Sequence, residues 1–201
     1  SRIDQRVTPT MYRCAIASAG ELALLRQVTN VIRLGRVTGL EPHRIALEQG
    51  AVAAPDGAIF LNCSADGIPR RDATPVFVED RIILQYVRRC SPTFSAAFIG
   101  FIEATMPGDD AAKNALTTPV PIPDAPRDWL SMQLSEARNR FLWRQSPAIE
   151  TWLARSRVDR FSAMAARAIQ EKHEANSAIL ARYSAAMKPA LDNLTQLLEP
   201  A

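Results

Sequence analysis

The sequence predicts an α/β portion over residues 1–105 that includes an antiparallel meander, followed by an α-helical carboxyl-terminal region. Three observations carry this expectation. Between residues 12 and 34, apolar alternation gives way to a capped helical period and then returns, which reads as strand, helix, strand. Residues 58–61 suit a buried strand and run into Asn62-Cys63-Ser64-Ala65-Asp66-Gly67 before Pro69 turns the chain. From Asp128 onward, every segment spaces its apolar residues for a helix.

Residues 1–10 show no period. Tyr12, Cys14 and Ile16 alternate with Arg13 and Ala15 and predict a short strand. Ser18 and Glu21 have the spacing of a capping box, in which each side chain satisfies an orphan N–H at a helix start. The helix expected over 19–28 carries Leu22, Leu25 and Val28 on one stripe, Asn30 closes it, and residues 31–34 read as the next strand. That order is a βαβ unit, whose two strands run parallel. Residues 35–54 form an antiparallel meander, with turns at Glu41-Pro42 and Gly50 and with Ile45 and Leu47 on one face. Residues 58–63 then return to the main sheet.

The end of that strand is a candidate ligand edge. In open α/β sheets ligands bind at the carboxyl ends of strands, and small residues with Gly67 would admit a planar or phosphorylated group close to the backbone. The same stretch also suits an ordinary strand-to-turn junction. Arg70 and Arg71 follow in a loop, as surface charges or as phosphate contacts.

Residues 80–87 alternate through Ile82, Leu84 and Tyr86 as a last strand, ending at Arg88-Arg89-Cys90. Ser91 at the N-cap and Pro92 at the first helical position open a helix with Phe94, Phe98 and Phe101 or Ile102 facing a core. The connector, residues 106–127, holds a short capped helix over 109–116 and then an extended stretch over 117–126, where Pro119, Pro121, Pro123 and Pro126 forbid regular helix. In the helical region, residues 128–201, Leu130, Leu134, Ala137 and Phe141 mark one face, Ser146-Pro147 restarts a helix, and Phe161, Met164, Ala165 and Ala168 continue. The last helix, residues 173–199, carries a stripe through Leu180, Tyr183, Met187, Ala190, Leu194 and Leu197, with a kink expected at Pro189. This stripe fits packing on the chain's own helices or association of two copies.

Composition narrows the classes. The chain has 201 residues, 47% of them hydrophobic and 22% charged, which excludes a disordered or fibrous protein. A net charge of +3 is spread among interleaved acids, so no nucleic-acid surface is expected. No apolar run is long enough to cross a bilayer, so no membrane association is expected. Cys14, Cys63 and Cys90 are odd in number and lack CxxC spacing, which argues against a disulfide framework or a clustered zinc site and for a reduced, cytoplasmic setting. Two histidines, His43 and His173, build no multi-histidine metal centre, and no metal site is expected. Cys63 is either a thiol beside a ligand or a buried apolar residue. No G-x-S-x-G, H-E-x-x-H or Walker loop is present.

The runs over residues 30–34, 37–41, 44–50 and 56–67, and later 74–85 and 91–100, resemble the closing part of FAD/NAD(P)-dependent oxidoreductases of a flavin-monooxygenase-like bacterial group. The resemblance implies a partial dinucleotide-binding, Rossmann-like sheet with FAD and NAD(P)H as cofactors. It implies hydride transfer between them and onward to an unidentified small-molecule acceptor. Ser64, Ala65 and Gly67 would then shape the cofactor crevice, and Ser91 and Thr93 would present backbone N–H groups to the flavin at a helix N-terminus. Two departures qualify it. Asp66 stands where that turn carries a small or hydroxyl residue, and the chain has no G-x-G to cradle a pyrophosphate. The resemblance therefore implies the carboxyl portion of a longer flavoprotein, or a relative that has lost its cofactor half. The alternative is a non-catalytic interaction or dimerisation module on a degenerate dinucleotide-binding fold, with its helices as the homo-oligomer surface.

Overall fold

The computed structural model describes residues 2–14, 17–64, 71–171 and 174–198. The chain divides into two compact units. One comprises Ser1–Val7 and Ile16–Arg71, the other Thr8–Ala15 and Asp72–Ala201.

In the first unit, helix α1 (Ala19–Leu25) begins at the expected capping box: Ser18 Oγ accepts from the Glu21 N–H at 3.2 Å, and Glu21 Oε2 accepts from the Ser18 N–H at 2.7 Å. The meander is present as β1 (Val37–Glu41), β2 (Arg44–Leu47) and β3 (Gly50–Ala53), all antiparallel. Two-residue turns, Pro42-His43 and Glu48-Gln49, set a register that pairs Leu40 with Ile45 and Ile45 with Val52. Gly35 lies at φ +82°, and a Cβ there would stand 2.5 Å from Glu48 Oε2. Only glycine fits that close approach without strain.

In the second unit, a two-stranded ribbon of β4 (Phe77–Val78) and β5 (Arg81–Ile82) precedes helix α2 (Pro92–Thr105) and helix α3 (Asp110–Leu116). The proline-rich connector then leads to α4 (Asp128–Trp143), α5 (Pro147–Arg155), α6 (Arg160–Gln170) and α7 (Glu174–Leu198). Asp109, Ser146 and Asp159 cap α3, α5 and α6 through side-chain oxygens. The core is aromatic: Phe94, Phe98 and Trp143 are buried together, with ring centroids 4.4 Å apart for Phe98 and Trp143, among Val76, Val87, Ile102 and Ile149. Helix α7 continues through Pro189.

The expected α/β fold is overturned. Among the described residues the only sheets are the three-stranded meander and the two-stranded ribbon, both antiparallel, so no Rossmann-like, dinucleotide-binding sheet is formed. Residues 12–14, 31–34 and 58–63 lie in no strand, and the strand expected over 80–87 shortens to Arg81 and Ile82. The physical reason is pairing. An apolar run becomes a strand only where a neighbour takes its N–H and C=O groups and covers its side chains. Val31, Ile59 and Leu61 instead stand exposed.

Helix α4 also departs from the expected face. Met132, Glu136, Asn139 and Trp143 are buried at i, i+4, i+7 and i+11, together with Leu134, whereas Phe141 is 64% exposed. An apolarity count misses a buried face whose glutamate and asparagine find partners inside.

Candidate functional site: sulfur and ionic groups on helix α4

The buried face of α4 meets two segments outside helix and sheet, residues 12–14 and 86–90. Backbone pairing holds the first, because the Tyr12 N–H donates to Asp124 O at 2.8 Å and Arg13 Nη2 lies 2.8 Å from Asp124 Oδ1. The second is held by side chains. Asn139 Nδ2 donates to Val87 O at 2.9 Å and to Thr118 O at 2.7 Å, and Ser95 Oγ accepts from the Val87 N–H at 3.2 Å. Trp143 Nε1 donates to Leu116 O at 2.7 Å. The amide of Asn139 and the indole of Trp143 thus both donate to main-chain carbonyls, whereas the buried Gln133 Nε2 meets no acceptor.

Three sulfurs converge at one end. Cys14 and Cys90 are joined as a disulfide, with Cα atoms 6.1 Å apart. The Met132 Sδ lies 3.7 Å from Cys14 Sγ and 3.8 Å from Cys90 Sγ. Both cysteines have positive φ, +59° and +45°, a conformation non-glycine residues rarely adopt. Met132 is buried, Cys14 half-buried and Cys90 exposed, so the group opens to solvent on the Cys90 side.

A charged cluster lies beside it. Arg89 Nη1 donates to Gln133 Oε1 at 2.6 Å, and Arg89 Nε stands 3.0 Å from Glu136 Oε2. Arg88 reaches both buried carboxylates, with Nε 3.5 Å from Glu136 Oε1 and Nη1 2.8 Å from Asp159 Oδ2, and its guanidinium lies 4.6 Å from the centre of the Phe94 ring. Glu136 is held by charge alone, since neither of its oxygens is in hydrogen-bond geometry. Asp159 is better satisfied. Burial pushes its carboxyl up, but the Arg88 hydrogen bond, those from Ser162 and the Arg88 charge together outweigh it, and the pKa lies below the ordinary value.

Among the described residues, no three His, Cys, Asp or Glu side chains converge as a metal cluster. Nor is any described helix long and apolar enough to cross a membrane.

The residues expected at a cofactor site are distributed as follows. Ser64 is exposed in the first unit, where its N–H and Oγ donate to Asn62 Oδ1 at 3.0 and 2.6 Å. Ala65 and Gly67 lie outside the described residues, as do Asp66 and Arg70. Ser91 occupies the N-cap of α2, but its side chain makes no capping bond, and its carbonyl accepts from Ser95 Oγ at 2.8 Å. Thr93 is exposed on the first turn of the same helix. Cys63 is exposed, in place of the buried position weighed for it. The pairing of Cys14 with Cys90 had no signal in spacing, because 76 residues separate them. Arg88-Arg89-Cys90 was legible only as a strand end.

The chain is similar to three mycobacterial proteins: uncharacterized protein Mb2023 of Mycobacterium bovis, and uncharacterized proteins MT2056 and Rv2000 of Mycobacterium tuberculosis. Each is 38% identical over 200 residues, which is all of this chain and 37% of the relative. The chain therefore spans little more than a third of the length of the curated relatives it matches. No protein-family model matches it. No solved structure matches it either.

Proposed function

We propose that residues 17–64 are an interaction module. Their apolar side chains dock on another protein surface, which in proteins of the relatives' length the remaining polypeptide supplies. The observation that carries this reading is the imbalance between buried and exposed apolar groups in the first unit. Among its described residues only Ala54 is buried, while Leu24, Val28, Val31, Leu40, Ile59 and Leu61 are each more than half exposed. A segment with so little buried apolar area does not offset the entropy of ordering it, and folded monomers rarely leave so many large apolar groups in water. Relatives that continue well beyond the matched 200 residues carry enough polypeptide to cover them. A cytoplasmic setting belongs to the same proposal, and there Cys14 and Cys90 would stand as thiols.

Hydrogen exchange and binding of an apolar fluorescent dye, compared between this chain and a polypeptide of the relatives' full length, test the proposal. The 201-residue chain should bind dye and exchange fast over residues 26–34 and 55–61, which flank the meander, and the longer polypeptide should do neither. Equal exchange in both overturns the reading. If the short chain gains mass with concentration and protects these residues itself, a second copy is the partner. Pairing of two copies through the carboxyl-terminal helices would instead raise the mass and leave those residues fast, and its support is that no residue of helix α7 is fully buried.

The oxidoreductase reading, with FAD, NAD(P)H and a small-molecule substrate, keeps as its support the resemblance of residues 30–67 and 74–100. Yellow colour and FAD uptake by the longer polypeptide would decide for it.

A further inference from the structure

We infer that Cys14, Cys90 and Met132, once the disulfide is reduced, form a three-sulfur site for a soft monovalent metal ion, copper(I). Two thiolates and one thioether are the donor set that selects copper(I) over the harder divalent ions, for which methionine is a poor ligand. The spacing agrees. With metal–sulfur bonds of about 2.3 Å, sulfurs arranged trigonally around one ion stand about 4 Å apart. The Met132 Sδ is already 3.7 and 3.8 Å from the two cysteine sulfurs. The third edge opens when the bond between Cys14 and Cys90 is cut.

The surroundings suit an ion that is delivered and then held. Cys90 is exposed and provides the way in, Cys14 is half-buried, and Met132 closes the site from the buried face of α4. Both cysteines sit in the left-handed region, a conformation with a backbone cost that persists where its surroundings hold it, as at ligand sites. Each segment is held independently of the sulfurs, residues 12–13 through Asp124 and Val87 through Asn139, so reduction leaves the three donors near one another.

The chemistry balances in two steps. A dithiol or phosphine reductant supplies two electrons to the disulfide and is itself oxidised, leaving two cysteine thiols. Copper(I) then replaces the two thiol protons, which leave to solvent, and the thioether adds without proton loss.

The test is a titration of this 201-residue chain, reduced with a phosphine under anaerobic conditions, against the coloured copper(I) complex of bicinchoninate. The wild-type chain should withdraw one copper(I) per molecule, and zinc(II) should not compete. Cys90→Ser should abolish uptake. Met132→Leu, which keeps size and apolarity, should weaken it roughly tenfold or more, since even outer partners of a metal site cost that much when removed. Cys63→Ser should change nothing, because that thiol lies in the first unit. No uptake by the wild-type chain overturns the proposal, as does uptake that survives Cys90→Ser. Helical content by circular dichroism accompanies each variant. If Cys90→Ser unfolds, Met132→Leu decides alone, and a leucine variant that binds as tightly as wild type shows that the methionine only packs.

Discussion

Asp159 holds the Arg88 guanidinium at 2.8 Å through Oδ2 while its Oδ1 accepts the Phe161 and Ser162 N–H groups that open helix α6. One carboxylate thus joins the cap of a helix to an ion pair with the segment before α2. Asp159→Ala should remove both and leave Arg88 half-paired, at a cost of roughly 3–5 kcal/mol. Urea denaturation measures it. Adding Arg88→Met should recover part of the loss, because the double variant carries no unpaired cation.

The same carboxyl makes stability depend on pH. Its pKa is depressed in the folded chain, so its contribution is complete above the unfolded value of about 3.9 and is lost as pH falls through the lower folded value. The melting temperature of the wild-type chain should fall more steeply below about pH 4 than that of Asp159→Asn, which has no proton to take up there. Parallel slopes in a thermal denaturation series would remove this assignment.

Asn139 supplies one amide to two carbonyls, Val87 O and Thr118 O. Asn139→Leu keeps the volume but strands both acceptors, and should cost about 2 kcal/mol or more. Asn139→Asp should be worse, because a carboxylate would face two carbonyl oxygens. The denaturant midpoints should rank wild type, leucine, aspartate.

Trp143 fills the centre of the aromatic core and donates to Leu116 O. Trp143→Ala should lose roughly 3–5 kcal/mol as a cavity opens, and Trp143→Phe less, since a ring still meets Phe98. Calorimetric melting of the two variants separates the contributions of area and hydrogen bond.

Gly35→Ala tests the meander. A left-handed residue with a Cβ costs about 1–2 kcal/mol, and here the new methyl would also displace Glu48, whose Oε2 accepts from the Arg36 N–H at 3.1 Å. Amide exchange at Ile45 and Val52 should quicken. Gly57→Ala, also at positive φ but with open space around it, should pay the backbone cost alone.

Local chemistry was legible in the sequence. The Ser18–Glu21 capping box, the meander, the Ser91-Pro92 start of α2, the Asp109 cap of α3 and the restart at Ser146-Pro147 all depend on residues within a few positions of one another. What depends on distant partners was not. Residues 31–34 and 58–61 have the composition of strands, but nothing in their own sequence says whether another strand will pair with them. The buried face of α4 was misread because Glu136 and Asn139 look solvent-facing until Arg88, Arg89, Val87 and Thr118 are brought to them. Leu130 and Phe141 had the better claim by hydropathy. The sulfur group failed to show for the same reason, since Cys14 and Met132 lie 118 residues apart.

That separation sets an order of events during synthesis. At roughly 5–20 residues per second, Met132 follows Cys14 off the ribosome by about 6–24 s. Until Cys90 is made, 76 residues after Cys14, residues 8–15 have no helix of their own unit to lie against, while the hairpins of residues 37–53, whose contacts are all local, close within microseconds of being made. The oldest part of that unit thus waits for its seat, and Cys14 meets the cell as a free thiol before it meets Cys90.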